Sequence, residues 1–111
     1  MSMTPEGKVK KYVNSLLKRL KAWYFMPVGN GFGKGGVPDI ICCIPYTISA
    51  KDVGTTVGLF VAIETKAPGK IKNTTQLQER EIENIKTAGG IAFVTDSAEH
   101  CLDMLAKRGR S

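Results

Sequence analysis

The chain has 111 residues, of which 42% are apolar and 23% charged, and its formal net charge is +6. This length supports one domain with one core, and the apolar fraction is too high for a disordered chain. Apolar runs stay well below the roughly 20 residues of a membrane span, and the basic N-terminus lacks the apolar segment of a secretory signal. We expect one cytoplasmic domain over residues 1–111, with a core over residues 4–107 and no membrane partner.

The excess positive charge lies in the first third of the chain. Residues 1–35 contain seven Lys or Arg and one acid, whereas the other residues contain nine of each sign. Such a basic segment favours a polyanionic partner, with nucleic acid ahead of an anionic membrane surface. A solvated lysine-rich helix face is the alternative interpretation.

The cysteines and the histidine exclude several kinds of site. The three Cys residues have no C-x-x-C spacing, and His100 is the single histidine, so a structural zinc site and a Cys–His nucleophile are not indicated. We expect buried free thiols.

The first half of the chain predicts a helix followed by two strands. Thr4-Pro5-Glu6 is typical of a helix start, and an apolar stripe then recurs at helical spacing, which predicts a helix with one apolar face. The residues of this stripe are Val9, Tyr12, Val13, Leu16, Leu17 and Leu20. Short strands are predicted over 23–28 and 39–44, separated by a glycine-rich loop over 29–36.

The second half predicts two strands that alternate with two helices. Residues 46–57 are irregular, and a strand follows over 59–66. Thr75 and Gln78 form a capping box before a helix that ends near residue 88, and a strand covers 91–95. Asp96 and Glu99 predict a second capping box before the last helix. The order α-β-β-β-α-β-α indicates a mixed sheet flanked by helices.

The glycine-rich loop contains G-x-G-x-x-G over residues 31–36. A dinucleotide-binding motif must follow a strand and open a helix. This loop precedes Pro38 and a strand, so we expect no nucleotide cofactor. A phosphate-binding metabolic enzyme is set aside for the same reason, and the loop is interpreted as a close approach to a partner, with Lys34 and Gly35 as phosphate contacts.

Charged residues stand at the ends of two predicted apolar strands. Asp39 opens one strand, and Glu64 and Lys66 close the other, two residues apart and therefore on one side. Two carboxylates that converge from neighbouring strands form an oxygen site for Mg²⁺ or Mn²⁺, and a nearby lysine can assist an attacking water or neutralise phosphate charge. A strand-end salt bridge between Glu64 and Lys66 is the alternative interpretation.

The ordered set of motifs resembles a known nuclease family. Pro38-Asp39 followed by Glu64-Thr65-Lys66 is similar to the PD-(D/E)XK motif. Glu6, the segment 35–39, the segment 64–69 and the segment 75–78 together resemble its VRR-NUC branch, the virus-type replication-repair nucleases. The resemblance implies a restriction-endonuclease-like α-β-β-β-α-β core with a mixed four-stranded sheet.

The resemblance also implies a role for each matched residue. Asp39, Glu64 and the backbone carbonyl of Thr65 would bind the metal, and Lys66 would be the catalytic lysine. Glu6 would reach the metal region from the first helix, although it also suits the first turn as a dipole-stabilising acid. Gln78 would point into the site, ahead of Gln76, although the capping box already explains it.

The expected activity is divalent-metal-dependent hydrolysis of DNA phosphodiesters. Stand-alone members of this branch resemble dimeric nucleases that act on branched DNA such as four-way junctions, so a homodimer is expected, with residues 46–57 as a candidate interface or a plain surface loop. Lys8, Lys11, Lys18 and Lys34 are expected to bind phosphates, by backbone and shape rather than by base sequence. The alternative is a non-catalytic nucleic-acid-binding module of the same fold.

Overall fold

The computed structural model describes residues 3–28, 36 and 38–110. The elements follow in the order α1 (Pro5–Arg19), β1 (Trp23–Phe25), β2 (Ile41–Cys43), β3 (Val61–Thr65), α2 (Gln76–Thr87), β4 (Ile91–Thr95) and α3 (Ala98–Ala106). The predicted element order is confirmed, with shorter β1, β2 and β3 than expected. Most of the predicted glycine-rich loop lies outside the described residues.

The four strands form two sheets of two strands each. β1 pairs with β2 in antiparallel orientation, and β3 pairs with β4 in parallel orientation. The mixed α/β class is confirmed, and a single four-stranded sheet stays a prediction. The chain divides into two compact units, residues 1–45 and 46–111, so the single nuclease domain also stays a prediction.

In the first unit, α1 begins as the sequence predicts. The Thr4 side chain accepts a hydrogen bond from the Gly7 backbone N–H at 2.9 Å, and Pro5 occupies the first turn, where no N–H partner is needed. The predicted helix is confirmed, and of its apolar stripe Leu17 is buried and Val13 is half-buried. Its other members are exposed: Val9, Tyr12, Leu16 and Leu20.

In the second unit, β3, α2 and β4 form a β-α-β unit with β4 as its most buried element. Ile91, Ala92 and Phe93 of β4 are buried, and Ile85 and Ala88 at the C-terminal end of α2 are buried as well. The predicted capping box opens α2, because Thr75 Oγ1 accepts from the Gln78 N–H at 3.1 Å. The crossover brings the C-terminal ends of β3 and β4 to the same edge of this sheet.

The helix α3 begins one residue later than the predicted capping box requires. Ser97 is its N-cap, and the Ser97 hydroxyl accepts from the His100 backbone N–H at 3.0 Å. The predicted capping box of Asp96 and Glu99 is therefore wrong. Among the described residues, no helix is long and apolar enough to cross a membrane.

The irregular segment that follows β2 has a local structure centred on Asp52. Its carboxylate accepts from the Tyr46 hydroxyl at 2.8 Å and from the Ser49 backbone N–H at 2.9 Å, around a 3-10 turn over Ala50–Asp52. The apolar side chains Ile48 and Val53 are exposed. The prediction that this segment forms a dimer interface is compatible with that exposure and stays a prediction.

Candidate functional site

The C-terminal end of β3 carries two of the predicted site residues on one side. Glu64 and Lys66 are half-buried. Ile63, which precedes them, and Thr65, which lies between them, are exposed, as the alternation of a strand requires. The Lys66 backbone N–H donates to the Thr95 carbonyl at 2.9 Å and so extends the pairing with β4 beyond the strand. The Lys66 backbone is thus held at the edge where both strands end.

The side chain of Lys66 meets the first turn of α2. Its Nζ donates to Gln78 Oε1 at 3.0 Å in a partly buried contact. The same Gln78 oxygen accepts from the Thr75 backbone N–H at 3.0 Å, so the capping box holds the oxygen that Lys66 binds. The two explanations that the sequence offers for Gln78, helix cap and site residue, are therefore compatible.

A cleft of about 310 Å³ lies between β3 and α2. We call it the β3 cleft; its polar lining residues are Glu64, Gln78 and Glu81, and its apolar ones are Ala62, Ile63, Leu77, Ile82 and Ile85. Glu64 and Gln78 therefore share a cavity, and Gln78 joins Lys66 to it. Residues predicted from two separate motifs, Glu64 and Lys66 from one and Gln78 from the other, therefore lie at or beside this cleft.

The alternative interpretation of the Glu64-x-Lys66 pattern is a strand-end salt bridge. Over residues 3–28, 36 and 38–110, the ion pairs within 4.0 Å are Lys10–Asp39, Lys86–Glu83 and Lys107–Asp103. The ammonium of Lys66 instead has the neutral Gln78 oxygen as its partner. Pairing with each other therefore does not account for the two charges on this face.

The backbone carbonyl of Thr65 is the third predicted metal ligand on β3. In a parallel ladder, alternate residues direct both backbone groups to one neighbouring strand. Phe60 and Lys66 bond to β4 through Ile91 and Thr95, so the even-numbered residues of β3 face β4. The Thr65 carbonyl consequently points away from β4, to the other lateral side of β3.

In the first unit, Asp39 lies two residues before β2 rather than at its first position. The Asp39 side chain is 68% exposed, and its Oδ2 lies 3.9 Å from Nζ of Lys10. Its position was expected to be the head of a buried strand, but the short β1–β2 pairing begins only at Ile41, opposite Phe25. An exposed carboxylate that a single long ion pair contacts keeps most of its oxygen surface available to a cation.

Glu6 lies one turn before Lys10 on the same side of α1. Because Lys10 is the residue of α1 that contacts Asp39, the structure places Glu6 on the side of the helix that faces Asp39. Glu6 also occupies the first turn, where an acid stabilises the helix dipole. Both explanations of Glu6 stay open.

The predicted phosphate-binding lysines of α1 share a different side of that helix. Lys8, Lys11 and Lys18 are exposed and follow one another at spacings of three and seven residues, which places them along one face. The predicted contacts Lys34 and Gly35 lie outside the described residues. The three described lysines form an exposed cationic row along the helix.

The donor set of the predicted metal site consists of oxygen atoms. Carboxylates of Asp39 and Glu64 and the carbonyl of Thr65 are the ligand types that Mg²⁺ and Mn²⁺ prefer. No group of three or more His, Cys, Asp or Glu residues able to hold a metal occurs in the described part of the chain. The residues present thus suit a hard cation that keeps several water ligands, rather than zinc.

The cysteines are free thiols, as expected, with Cys43 buried and Cys42 and Cys101 half-buried. Burial raises the pKa of the Cys43 thiol, and the neighbouring Cys42 raises it further. A raised pKa lowers the thiolate fraction at neutral pH and so disfavours nucleophilic chemistry at Cys43. The expectation of burial is wrong in degree for Cys42 and Cys101.

Two residues of the site region, Glu81 and Lys10, are not among the predicted site residues. Glu81 lines the β3 cleft; it follows Gln78 by three residues on α2, and this spacing on one helix face is the signal that could have identified it. Lys10 contacts Asp39, and nothing in its local sequence distinguishes it from the other lysines of α1.

Comparisons of this chain with protein-family models, with curated proteins and with solved structures find no match. The VRR-NUC resemblance therefore stays a prediction that rests on the motifs.

Proposed function

We propose that this protein is a divalent-metal-dependent DNA endonuclease with a restriction-endonuclease-like fold of the VRR-NUC type. The proposal joins the motif order of the sequence to the contacts at the end of β3. Its preferred substrates are branched DNA molecules such as four-way junctions, and it cuts them as a homodimer in the cytoplasm.

The observation that carries the proposal is the contact between Lys66 and Gln78. Lys66 Nζ lies 3.0 Å from Gln78 Oε1, and Gln78 lines the β3 cleft together with Glu64. The resemblance assigns these three residues to one catalytic centre before any coordinates are considered. Their meeting across β3 and α2 supports that assignment over a chance occurrence of a short triplet.

Each residue has a role in the proposed reaction. Asp39, Glu64 and the Thr65 carbonyl would hold Mg²⁺ or Mn²⁺, and a bound ion of this kind would supply Lewis-acid stabilisation of phosphate charge and an activated water. Lys66 would place its ammonium charge beside the phosphate under attack and stabilise the negative charge that develops there. Gln78 orients the Lys66 ammonium, and Glu6 supports the Asp39 side of the site.

The row of lysines on α1 supports the DNA part of the proposal. Lys8, Lys11 and Lys18 present three exposed cations along one helix face, and Lys34 and Gly35 are proposed to extend this surface. Phosphate contacts of this kind bind without base specificity and weaken steeply with salt. Two copies of the chain would provide the two active sites that symmetric cleavage of a junction needs.

A cleavage panel tests the proposal. Purified protein is incubated at fixed salt with four-way junctions, flaps, splayed arms and linear duplex, in Mg²⁺, in Mn²⁺ and in EDTA. We expect cleavage of the branched substrates with either metal and none in EDTA. Asp39→Ala, Glu64→Ala and Lys66→Ala should each lower the rate about a hundred- to ten-thousandfold.

The matched controls are Lys86→Ala and Glu99→Ala, which remove the same charges from exposed positions outside the site. They should cleave at the wild-type rate. If wild type and Asp39→Ala show the same residual cleavage, the nuclease assignment is wrong. Binding of junction DNA by wild type without cleavage, together with no heat of Mn²⁺ binding at millimolar concentration, would favour the non-catalytic nucleic-acid-binding module.

A further inference from the structure

Asp96 follows β4 directly and is not used as a helix cap. Ser97 caps α3 through its contact with the His100 N–H, so the Asp96 carboxylate is available for another partner. Its Oδ2 accepts a hydrogen bond from the Gly69 backbone N–H at 2.7 Å, across 27 positions of sequence. This distance lies at the short end of the range for an N–H···O bond.

Gly69 belongs to the tight turn that follows Lys66. The Lys70 N–H donates to the Ala67 carbonyl at 2.9 Å, and Gly69 has a φ of 78°. Proline at the second position and a positive-φ glycine at the third are typical of a type II turn. The N–H that Asp96 receives therefore lies within the turn that begins one residue after Lys66.

The anchor for this turn is itself well held. Thr95 is 4% exposed, and its hydroxyl contacts the Ser97 carbonyl at 2.9 Å and His100 Nδ1 at 2.8 Å. These contacts join the end of β4 to the first turn of α3 immediately beside Asp96.

Lys66 is consequently framed by two neighbouring residues at the end of β4. Its own N–H donates to the Thr95 carbonyl, and the turn that follows it is bound to Asp96. The Lys66 side chain has four flexible carbon–carbon bonds, so its Nζ reaches Gln78 reproducibly only if the backbone at its base is fixed. Without Asp96 the turn would keep the Lys70–Ala67 bond and the bond from the Asn73 N–H to the Lys70 carbonyl, neither of which joins it to β4.

We propose that Asp96 is a positioning residue that tethers the turn after β3 and thereby aims Lys66 at Gln78. The catalytic meaning of this tether rests on the proposed nuclease function. The tether itself is a property of the fold that can be measured without DNA. A misplacement of about 1 Å at a catalytic group lowers a rate by about a hundredfold, which sets the upper range of the effect.

The experiment compares Asp96→Ala and Asp96→Asn with Asp103→Ala as the matched control. Asp103 is another aspartate of the same region, but its partner is Lys107 in the next turn of α3. Three quantities are measured: the hydrogen-exchange rate of the Gly69 amide, the ¹³C relaxation of the Lys66 side chain, and kcat and KM on the best-cleaved DNA of the panel.

Asp96→Ala should raise the Gly69 exchange rate about tenfold and make the Lys66 side chain more mobile. Its kcat should fall about ten- to hundredfold, with KM within about twofold because the α1 lysines are untouched. Asp96→Asn keeps an acceptor oxygen and should recover a large part of each effect, and Asp103→Ala should match wild type.

Unchanged Gly69 exchange and unchanged Lys66 relaxation in Asp96→Ala would overturn the proposal, whatever the activity. Equal defects in Asp96→Asn and Asp96→Ala would also overturn it, because the acceptor oxygen would then not be the cause. If the wild-type protein cleaves no DNA of the panel, the nuclease proposal is wrong. The exchange and relaxation data would still show whether Asp96 tethers the turn.

Discussion

The two compact units bury their apolar residues to different degrees. In the second unit, β4 is buried at four of its five positions, and α2 covers the β3–β4 pair. In the first unit, α1 buries Leu17 while Tyr12 remains 70% exposed. A β-α-β unit connects its own layers, because the crossover helix has to pack on the sheet that it joins. The helix α1 and the three-residue strands β1 and β2 offer much less surface to one another.

The same contrast holds for the candidate site residues. Glu64, Lys66 and Gln78 of the second unit are half-buried and joined by hydrogen bonds or a shared cleft. Asp39 of the first unit is exposed, with one long ion pair to Lys10. A substitution at Glu64, Lys66 or Gln78 should therefore disturb local packing or the position of the Lys66 side chain. A substitution at Asp39 should lower metal binding and cleavage with little effect on folding.

The largest expected difference between the units is in the free energy of unfolding. Phe93→Ala removes a side chain that is 4% exposed and should lower it by about 3–5 kcal/mol. Tyr12→Ala removes an aromatic ring that is mostly exposed and should change it by less than about 0.5 kcal/mol. Urea titration followed by circular dichroism measures both, and equal losses would break the comparison.

A smaller effect is expected where the site meets α2. Gln78→Leu removes the oxygen that Lys66 and Thr75 share, so kcat for DNA cleavage should fall about ten- to hundredfold. Gln76→Leu is the matched control, because Gln76 is an exposed neighbour on the same helix turn. Steady-state kinetics compares the two variants, and equal activity would show that the Gln78 contact has no catalytic role.

A still smaller effect is expected at the ion pair of the first unit. Lys10→Ala removes a cation from Asp39, and both side chains are largely exposed, with 43% and 68% of their surfaces accessible. The unfolding free energy should change by less than about 1 kcal/mol. Mn²⁺ should bind about two- to fivefold more tightly, because a competing positive charge is gone.

Calorimetry with Mn²⁺ measures that affinity, and Lys11→Ala is its control. Lys11 carries the same charge but belongs to the exposed row of α1 rather than to the side that meets Asp39. Identical Mn²⁺ affinities for the Lys10 and Lys11 variants would mean that the Lys10 charge does not compete with Mn²⁺ for Asp39.

The smallest effect concerns the segment around Asp52. Hydrogen bonds from the Ser49 backbone and from the Tyr46 hydroxyl lower the pKa of Asp52, and the bond to Asp52 raises the pKa of Tyr46. The contribution of ionised Asp52 to the free energy of unfolding is therefore present above the unfolded carboxyl pKa of about 3.9. It is lost as pH falls through the lower pKa of the folded protein. The Tyr46 contribution is lost at the other extreme, as pH rises through its raised pKa.

An NMR pH titration of residues 46–53 checks this expectation. The Ser49 amide signal should shift together with the Asp52 carboxyl signal below about pH 4. In Asp52→Asn the acidic transition of the Ser49 signal should disappear. A Ser49 signal that titrates equally in both proteins would separate the two groups and contradict the observed contacts.

The sequence predicts the second unit better than the first. Capping residues Thr75 and Gln78 fix the start of α2, and the apolar run over Ile91–Thr95 specifies β4, because both signals are local. A position of Gln78 in the same site as Lys66 was expected from the family resemblance rather than from spacing, since the two residues are 12 positions apart. The partner of Asp96 is 27 positions away, and no local pattern distinguishes such a tether from a cap.

The failures in the first unit have a related cause. The apolar periodicity of α1 specifies a helix with one apolar face but does not specify what covers that face. The position of Asp39 was expected from an apolar run bounded by prolines, whereas the pairing of β2 with β1 spans only three residues. The length of an apolar run overestimates the length of the strand when the neighbouring strand is short.

We propose that Asp39 and Glu64 bind one divalent cation, and paramagnetic broadening by Mn²⁺ tests this proposal most directly. The account predicts that the amide signals of Asp39, Glu64 and Thr65 broaden together at the same substoichiometric Mn²⁺ concentration, and that Asp39→Ala weakens the broadening at Glu64. Signals of Asp39 and Glu64 that keep their widths while other carboxylates broaden would contradict it.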